Sequence, residues 1–358
     1  MKLVYAVDKN SYSQKDHIGV RKKVASMIEY FNKCDISSTL NEYTWEGGYP
    51  TIEVSDETDI LYFRRIEPSV KLILKFRELK SENKKLRLIM EIPTYPFYAE
   101  NKSKVSVKRK ISNIFGEILL RKYVDLVVIA SPNYKGNKIY GIPVITISNG
   151  IDYSKTPLIK YREREEKKIH MICVSGCYFW HGYDRLIKGM ADYYKENHLY
   201  QVFLHIVGDG PCLQEYKDIT SDNDLNSYVN FYGNKVGDEL DEVFDKADIA
   251  IDVLAAHRKK IYYASSLKSK EYVAKGLPIM TSLELDIDED KNCKYIKYLP
   301  VDDSNICVKD IILFYEKMYL RGEDNEKLIN KAIRDEFYQK CDWEFVLQPL
   351  IAWIIDKY

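Results

Sequence analysis

No apolar run in the sequence approaches the roughly 18 residues that a bilayer-spanning helix needs; Leu126–Ala130 and Leu350–Ile355 are core-sized. The opening stretch Met1–Asp8 turns polar too soon for a secretory signal. The seven cysteines are odd in number and scattered, with no C-x-x-C pair. The nearest two, Cys173 and Cys177, lack Cys/His companions at zinc-like spacing, so reduced thiols in a cytosolic chain are expected, with no metal. Net charge is also absent, with 54 Lys+Arg against 54 Asp+Glu, which argues against a general nucleic-acid binder. There is no repeat and no low-complexity tract.

What is present is an ordinary globular composition, 46% hydrophobic and 30% charged, over 358 residues. At roughly 150 residues per domain that length predicts two domains. The neutral total conceals an asymmetry: residues 1–160 carry a net charge of +9 and residues 161–358 a net of −9. Such a division suggests that the first half faces an anionic partner.

Strand-like and helix-like periods alternate along the chain. In the first half, strands are predicted at 3–7, 60–63, 86–92, 125–130 and 143–148, with helices at 20–31, 70–79 and 105–122. The run Lys155–Lys168, lacking apolar periodicity, reads as a linker. The second half predicts strands at 169–175, 202–207, 229–232, 248–254 and 278–282. Helices alternate with them at 183–195, 212–220, 237–246 and 267–275, and more follow from about 308. This order favours an α/β fold with parallel sheets in two Rossmann-like domains. The expected division is 1–160, 161–340 and a carboxyl-terminal helix at 341–358 that packs back toward the first domain.

In open parallel sheets, ligands bind beyond the carboxyl ends of the strands. Four constellations occupy such places. Gly208-Asp209-Gly210-Pro211 follows a strand, and its glycines allow close backbone approach or simply a turn. Ser265-Ser266-Leu267-Lys268 opens a helix, where free N–H groups, the dipole and a lysine suit a diphosphate, with Ser265 or Ser266 as N-cap. Glu271, three residues beyond Lys268, shares roughly its face and suits ribose hydroxyls. Trp180-His181-Gly182-Tyr183-Asp184-Arg185 places His181 and Arg185 four apart, a helix-face pair for phosphate oxygens or a solvated pair. His257-Arg258-Lys259-Lys260 is either another clamp or a solvated loop.

Together with Ser148-Asn149-Gly150-Ile151-Asp152, Val229-Asn230-Phe231-Tyr232-Gly233, Ala247-Asp248-Ile249 and Glu271-Tyr272-Val273-Ala274-Lys275-Gly276-Leu277-Pro278, these motifs form an ordered series. The series resembles the retaining glycosyltransferases of family four. The Trp-His-Gly-Tyr-Asp-Arg stretch is similar to a subgroup from bacterial surface-polysaccharide clusters. The resemblance implies the GT-B fold, two facing Rossmann-like domains with a cleft between them. It also implies transfer of a sugar from a nucleotide-diphosphate sugar to a hydroxyl of a glycan or lipid-linked acceptor, without cofactor or metal. Glu271, Lys268 and Arg258 would then serve catalysis. Gly19, Gly176, His181, Arg185, Gly208, Gly210, Tyr232, Ser266 and Leu267 would bind the donor. Glu91, Thr94 and Tyr95 would lie on the acceptor side.

The chain departs from the family pattern in three places. The earlier of two glutamates eight positions apart is Tyr263. His181 stands for the basic residue of a Lys-Gly pair whose preceding Arg has no equivalent. Glu91-Ile92-Pro93-Thr94-Tyr95-Pro96 occupies the place of a histidine. Arg185, Arg258 and Lys268 are expected to supply the missing charge. Tyr263 keeps open a non-catalytic nucleotide-sugar or glycan-binding protein, and the fold also admits an epimerase or phosphorylase.

Residues 101–122 carry seven basic side chains against the single acid Glu117, interleaved with Val105, Val107, Ile111, Ile114, Phe115, Ile118 and Leu119. Such a helix either lies on an anionic membrane or covers the core with a solvated basic face. The chain is therefore expected in the cytoplasm, peripheral on the inner face of the membrane.

Overall fold

The computed structural model describes residues 1–13, 18–64, 69–92, 107–130, 134–321 and 328–357. They divide into two compact units, Met1–Gly150 with Trp343–Tyr358, and Ile151–Asp342.

The first unit is built on a sheet of order Ser37–Tyr43, Lys2–Asp8, Ile60–Arg64, Arg87–Ile92, Leu126–Ile129, Ile142–Thr146 and Lys138–Ile139. All neighbours are parallel except the final pair. Alternation along the strands sends side chains to opposite faces. Leu3, Tyr5 and Val7 pack with Val24, Met27 and Phe31 of helix Ile18–Lys33. Ala6, Leu61 and Phe63 pack with Leu72 and Phe76 of helix Val70–Glu82 and with Leu120 of helix Val107–Leu120. Ser69 caps helix Val70–Glu82, its side chain accepting from Leu72 N–H. The carboxyl-terminal residues Trp343, Leu347, Leu350 and Ile354 complete the first of these cores.

The second unit has a six-stranded, wholly parallel sheet. Its order is Val229–Gly233, Gln201–Val207, Lys168–Val174, Ile249–Ile251, Ile279–Thr281 and Ile296–Tyr298. Counted within this sheet the order is 3-2-1-4-5-6, the Rossmann order. Its switch point lies between Lys168–Val174 and Ile249–Ile251.

Two sequence expectations are corrected. The divisions fall at Gly150/Ile151 and Asp342/Trp343 rather than after 160 and 340. The run 155–168 is also no free linker, because its charges and amides are tied to the second unit. Ile159 N donates to Lys275 O at 3.1 Å and Lys160 N to Asp245 Oδ1 at 2.8 Å. Arg162 Nη2 meets Asp248 Oδ1 at 2.7 Å, and the Arg164 guanidinium lies 3.7 Å from the Tyr319 ring centroid.

Candidate functional site

Helix Leu267–Ala274 starts beside the switch point of the second sheet. Ser266 is its N-cap, the hydroxyl accepting from Ser269 N at 3.4 Å. The first N–H groups of a helix have no intrahelical partner, so this end presents amides from Leu267 onward. Lys268 stands in that first turn. Its Nζ lies 3.1 Å from Asp252 Oδ1, and the Asp252 carboxylate is 0% exposed. Ser266 Oγ donates to the same oxygen at 3.4 Å, while Asp252 Oδ2 is buried without a hydrogen-bond partner. Glu271 is half-buried one turn further along.

Asp252 escaped the sequence reading. The available signal was an acid immediately after the apolar strand Ile249–Ile251, at a carboxyl end where a ligand is expected.

The loops beyond the first two strands of this unit touch backbone to backbone. Gly208 has φ 126°, and a Cβ there would lie 1.8 Å from Ser175 O. Gly210 has φ 154°, with a Cβ 1.7 Å from Gly176 O. Both positions therefore demand glycine for the approach of these two loops. Gly176 itself is half-buried beside the Tyr178 ring.

His181 precedes its helix, Tyr183–Tyr194, rather than sharing a helical face with Arg185. Its Nδ1 accepts from Tyr178 N at 3.1 Å, which leaves the proton on Nε2. Burial, with Lys268 and Lys259 nearby, pushes its pKa down to about 2. His181 is thus a neutral N–H donor, not the cation that the sequence suggested. Lys259 Nζ sits 3.2 Å from the centroid of the adjacent Trp180 ring.

Two arginines expected at phosphates are occupied elsewhere. Arg185 is buried and ties loops together. Its Nε donates to Ser304 O at 2.7 Å, Nη2 to Pro300 O at 3.2 Å and Nη1 to Leu254 O. Arg258 makes a bidentate pair with Asp184, both contacts at 3.0 Å, and reaches Asp303 Oδ1 at 2.7 Å and Phe179 O at 2.7 Å. Asp184 and Asp303 neutralise Arg258, and Arg185, besides its carbonyls, meets Asp302 Oδ1 at 3.3 Å; all of these partners are remote in sequence.

Tyr232 likewise gives its hydroxyl to the sheet, 3.0 Å from His205 Nδ1, whose Nε2 is 3.0 Å from His170 Nδ1. Tyr263 lies in the short strand Tyr263–Ala264, paired with Glu284–Leu285.

In the first unit, Gly19 is exposed and lies within the first turn of helix Ile18–Lys33, not in a loop before it. Glu91 is buried among Tyr5, Lys23 and Arg64, so its carboxylate is no open contact surface. Thr94 and Tyr95 lie outside the described residues. No described helix is long and apolar enough to cross a membrane.

Residues 155–257 match the model of the family described as glycosyl transferases group 1. No curated protein matches the chain by sequence. Among solved structures, a glycosyltransferase from Rickettsia africae ESF-5 is similar with a TM-score of 0.67 at 12% identity, covering 99% of this chain and 98% of that one. Anabaena Alr3699/HepE in complex with UDP has a TM-score of 0.65 at 11% identity, covering 99% and 100%. Sucrose-phosphate synthase from Thermosynechococcus elongatus has a TM-score of 0.64 at 12% identity, covering 100% of both. The chain therefore has the α/β fold of the GT-B glycosyltransferases, and its residues 155–257 carry the group 1 glycosyl transferase pattern.

Proposed function

We propose that the protein is a retaining glycosyltransferase of the family-four kind that moves a hexose from a nucleotide-diphosphate sugar to a hydroxyl of a glycan or lipid-linked acceptor, in cell-surface polysaccharide synthesis. The observation that carries this reading is the helix start at 266–268 beside the Rossmann switch point, with a capped N-terminus and Lys268 in its first turn. Negative charge develops on the leaving diphosphate as the glycosidic bond to it breaks. A helix N-terminus and an ammonium fixed in advance stabilise that charge without reorganisation. Leu267 and Lys268 contribute backbone N–H groups, Lys268 its charge, and the His181 Nε2–H one hydrogen bond. Glu271 accepts from ribose hydroxyls. With these groups on the diphosphate, no metal ion is required, and turnover is expected to persist in EDTA.

Anabaena Alr3699/HepE, a neighbour of the same fold found in complex with UDP and with UDP-glucose, supports uridine nucleotides as the first donors to try. The decisive experiment incubates the protein with a panel of nucleotide sugars and glycan acceptors and measures nucleoside diphosphate release. Turnover with any donor, abolished on removing Lys268, is the expected result. Binding without turnover would favour the non-catalytic reading that Tyr263 keeps open, and neither binding nor turnover would overturn both.

The setting we infer is the cytoplasmic face of an anionic membrane. On helix Val107–Leu120, Ile114, Phe115 and Ile118 are 55%, 56% and 52% exposed, while Gly116 and Leu120 face the core. Arg121 and Lys122 follow, both exposed. An outward apolar face flanked by cations suits an anionic lipid surface.

A further inference from the structure

The first unit contains a charged cluster that the donor chemistry does not use. Arg64 and Glu91 are register partners in adjacent parallel strands, at their carboxyl ends. Tyr5 comes from the neighbouring strand Lys2–Asp8, and Lys23 from the helix that follows it. The sheet order reverses between Lys2–Asp8 and Ile60–Arg64, which is where open parallel sheets take ligands.

Glu91 is 0% exposed. Its Oε2 accepts from Tyr5 OH at 2.5 Å, and its Oε1 from Lys23 Nζ at 2.9 Å and from Arg64 Nη1. Burial by itself would raise the carboxyl pKa, but Arg64 and Lys23 outweigh it and hold the group at about 2. Glu91 is therefore ionised, and one carboxylate faces two cations. Among the described residues no second acid pairs with either Lys23 or Arg64. A positive charge is left uncompensated in a largely dehydrated place, an arrangement that is costly until an anion completes it.

The helix adds its own positive end. Ile18–Lys33 has no acid in its first turn, and Lys23 lies close to that end, the reverse of the usual placement. Arg64 is the accessible member, with 16% of its side chain exposed. One guanidinium nitrogen is on Glu91, and the planar fork has further donors to offer two oxygens of a phosphate.

We propose that Arg64 and Lys23, braced by Glu91, form an anion subsite in the first unit that receives a phosphate group carried by the acceptor. The word acceptor rests on the transferase reading; the cation surplus does not. A phosphate carries a charge of about −1.5 to −2 at neutral pH, enough to offset both the surplus and the helix end.

The test uses the full chain with two probes, inorganic phosphate and UDP, read by calorimetry with chloride at matched ionic strength. The variants are Arg64→Gln and the paired change Lys268→Met with Asp252→Asn. Phosphate should bind wild type and the paired variant with similar affinity, and Arg64→Gln at least tenfold more weakly. UDP should bind the paired variant several-fold more weakly, the loss of Lys268 being partly offset by that of Asp252, and Arg64→Gln within about twofold of wild type. Equal phosphate affinity in wild type and Arg64→Gln would overturn the proposal. So would a loss of UDP affinity in Arg64→Gln as large as in the paired variant, since the cluster would then serve the donor. Absence of UDP binding to wild type counts against the transferase reading alone, because the phosphate arm still reads the cluster. Should Arg64→Gln fail to fold, Arg64→Lys keeps the charge and removes the fork, and its phosphate affinity should fall several-fold; an unchanged value would again overturn the proposal.

Discussion

Lys268 is held 3.1 Å from Asp252, a carboxylate with no exposure of its own. The pair places an ammonium at the helix start and at the same time offsets its charge. A donor diphosphate must compete with Asp252 for that ammonium, so the two residues should act on affinity in opposite directions. Asp252→Asn is expected to tighten UDP binding several-fold. Lys268→Ala is expected to weaken it at least tenfold and, by leaving Asp252 buried and alone, to lower stability by about 3–5 kcal/mol. Calorimetry and urea denaturation read the two effects separately. Weaker binding in Asp252→Asn would mean that positioning of the lysine outweighs the offset.

Arg185→Met and Arg258→Met should behave differently from Lys268→Ala. Both arginines satisfy carbonyls or carboxylates within the second unit. Each loss should cost roughly 2–4 kcal/mol of stability while UDP affinity of the folded variant stays within about twofold of wild type. A tenfold loss of affinity at unchanged melting temperature would restore them to the phosphate site.

Acid should destabilise the second unit before it affects carboxylates. Burial and neighbouring charges lower the pKa of His181 to about 2, burial and His170 lower that of His205 to about 3, and His170 is lowered as well. The unfolded imidazoles take up protons near pH 6.5 and the folded ones do not. Stability from these groups is therefore complete above about 6.5 and falls below it, by about 1.4 kcal/mol per pH unit for each strongly shifted histidine. Urea midpoints at pH 7.5 and 5.0 should differ accordingly, and His205→Gln should reduce the difference. Identical midpoints would contradict neutral, buried imidazoles.

Glu91 governs a lower window. Its folded value of about 2 lies below the unfolded value near 4.3, so its contribution is present above about 4.3 and lost as pH falls through 2. Glu91→Gln leaves two buried cations without a counter-ion and should cost about 3–5 kcal/mol at pH 7. Adding Arg64→Gln should recover part of that loss in a double-mutant cycle, and failure to recover any would argue against the shared charge cluster.

Ile114→Ser, Phe115→Ser and Ile118→Ser together should leave the fold intact, since these side chains face outward. Co-sedimentation with vesicles containing anionic phosphatidylglycerol should fall at least fivefold relative to wild type, and neutral phosphatidylcholine vesicles should bind neither. If instead the wild-type protein dimerises in solution and the triple variant is monomeric, the face is an interface between copies and not a membrane surface.

The strands and helices with strong apolar periods were legible from sequence, including the alternation that dictates parallel sheets. Ser37–Tyr43 was not. It is a sheet edge with two buried side chains, so its sequence lacks the apolar signal of an inner strand. Strand Ile296–Tyr298 at the opposite edge of the second sheet was missed for a similar reason. At the site, the helix start at Ser266 and Lys268 was readable because capping and dipole are local. The partners of Arg185 and Arg258 were not legible because they lie far along the chain, and neither was the closure of Glu91 by Lys23 and Arg64. Local spacing cannot tell an arginine that meets a ligand from one that meets residue 304.

Because Trp343, Leu347, Leu350 and Ile354 belong to the core of the first unit, that unit is completed only by residues synthesised after the whole of the second. During translation, Val24, Met27 and Phe31 await a cover that emerges about 300 residues later, while Ile151–Asp342 can close as a continuous segment. The second unit is in effect an insertion, and its sequence is complete before that of the first.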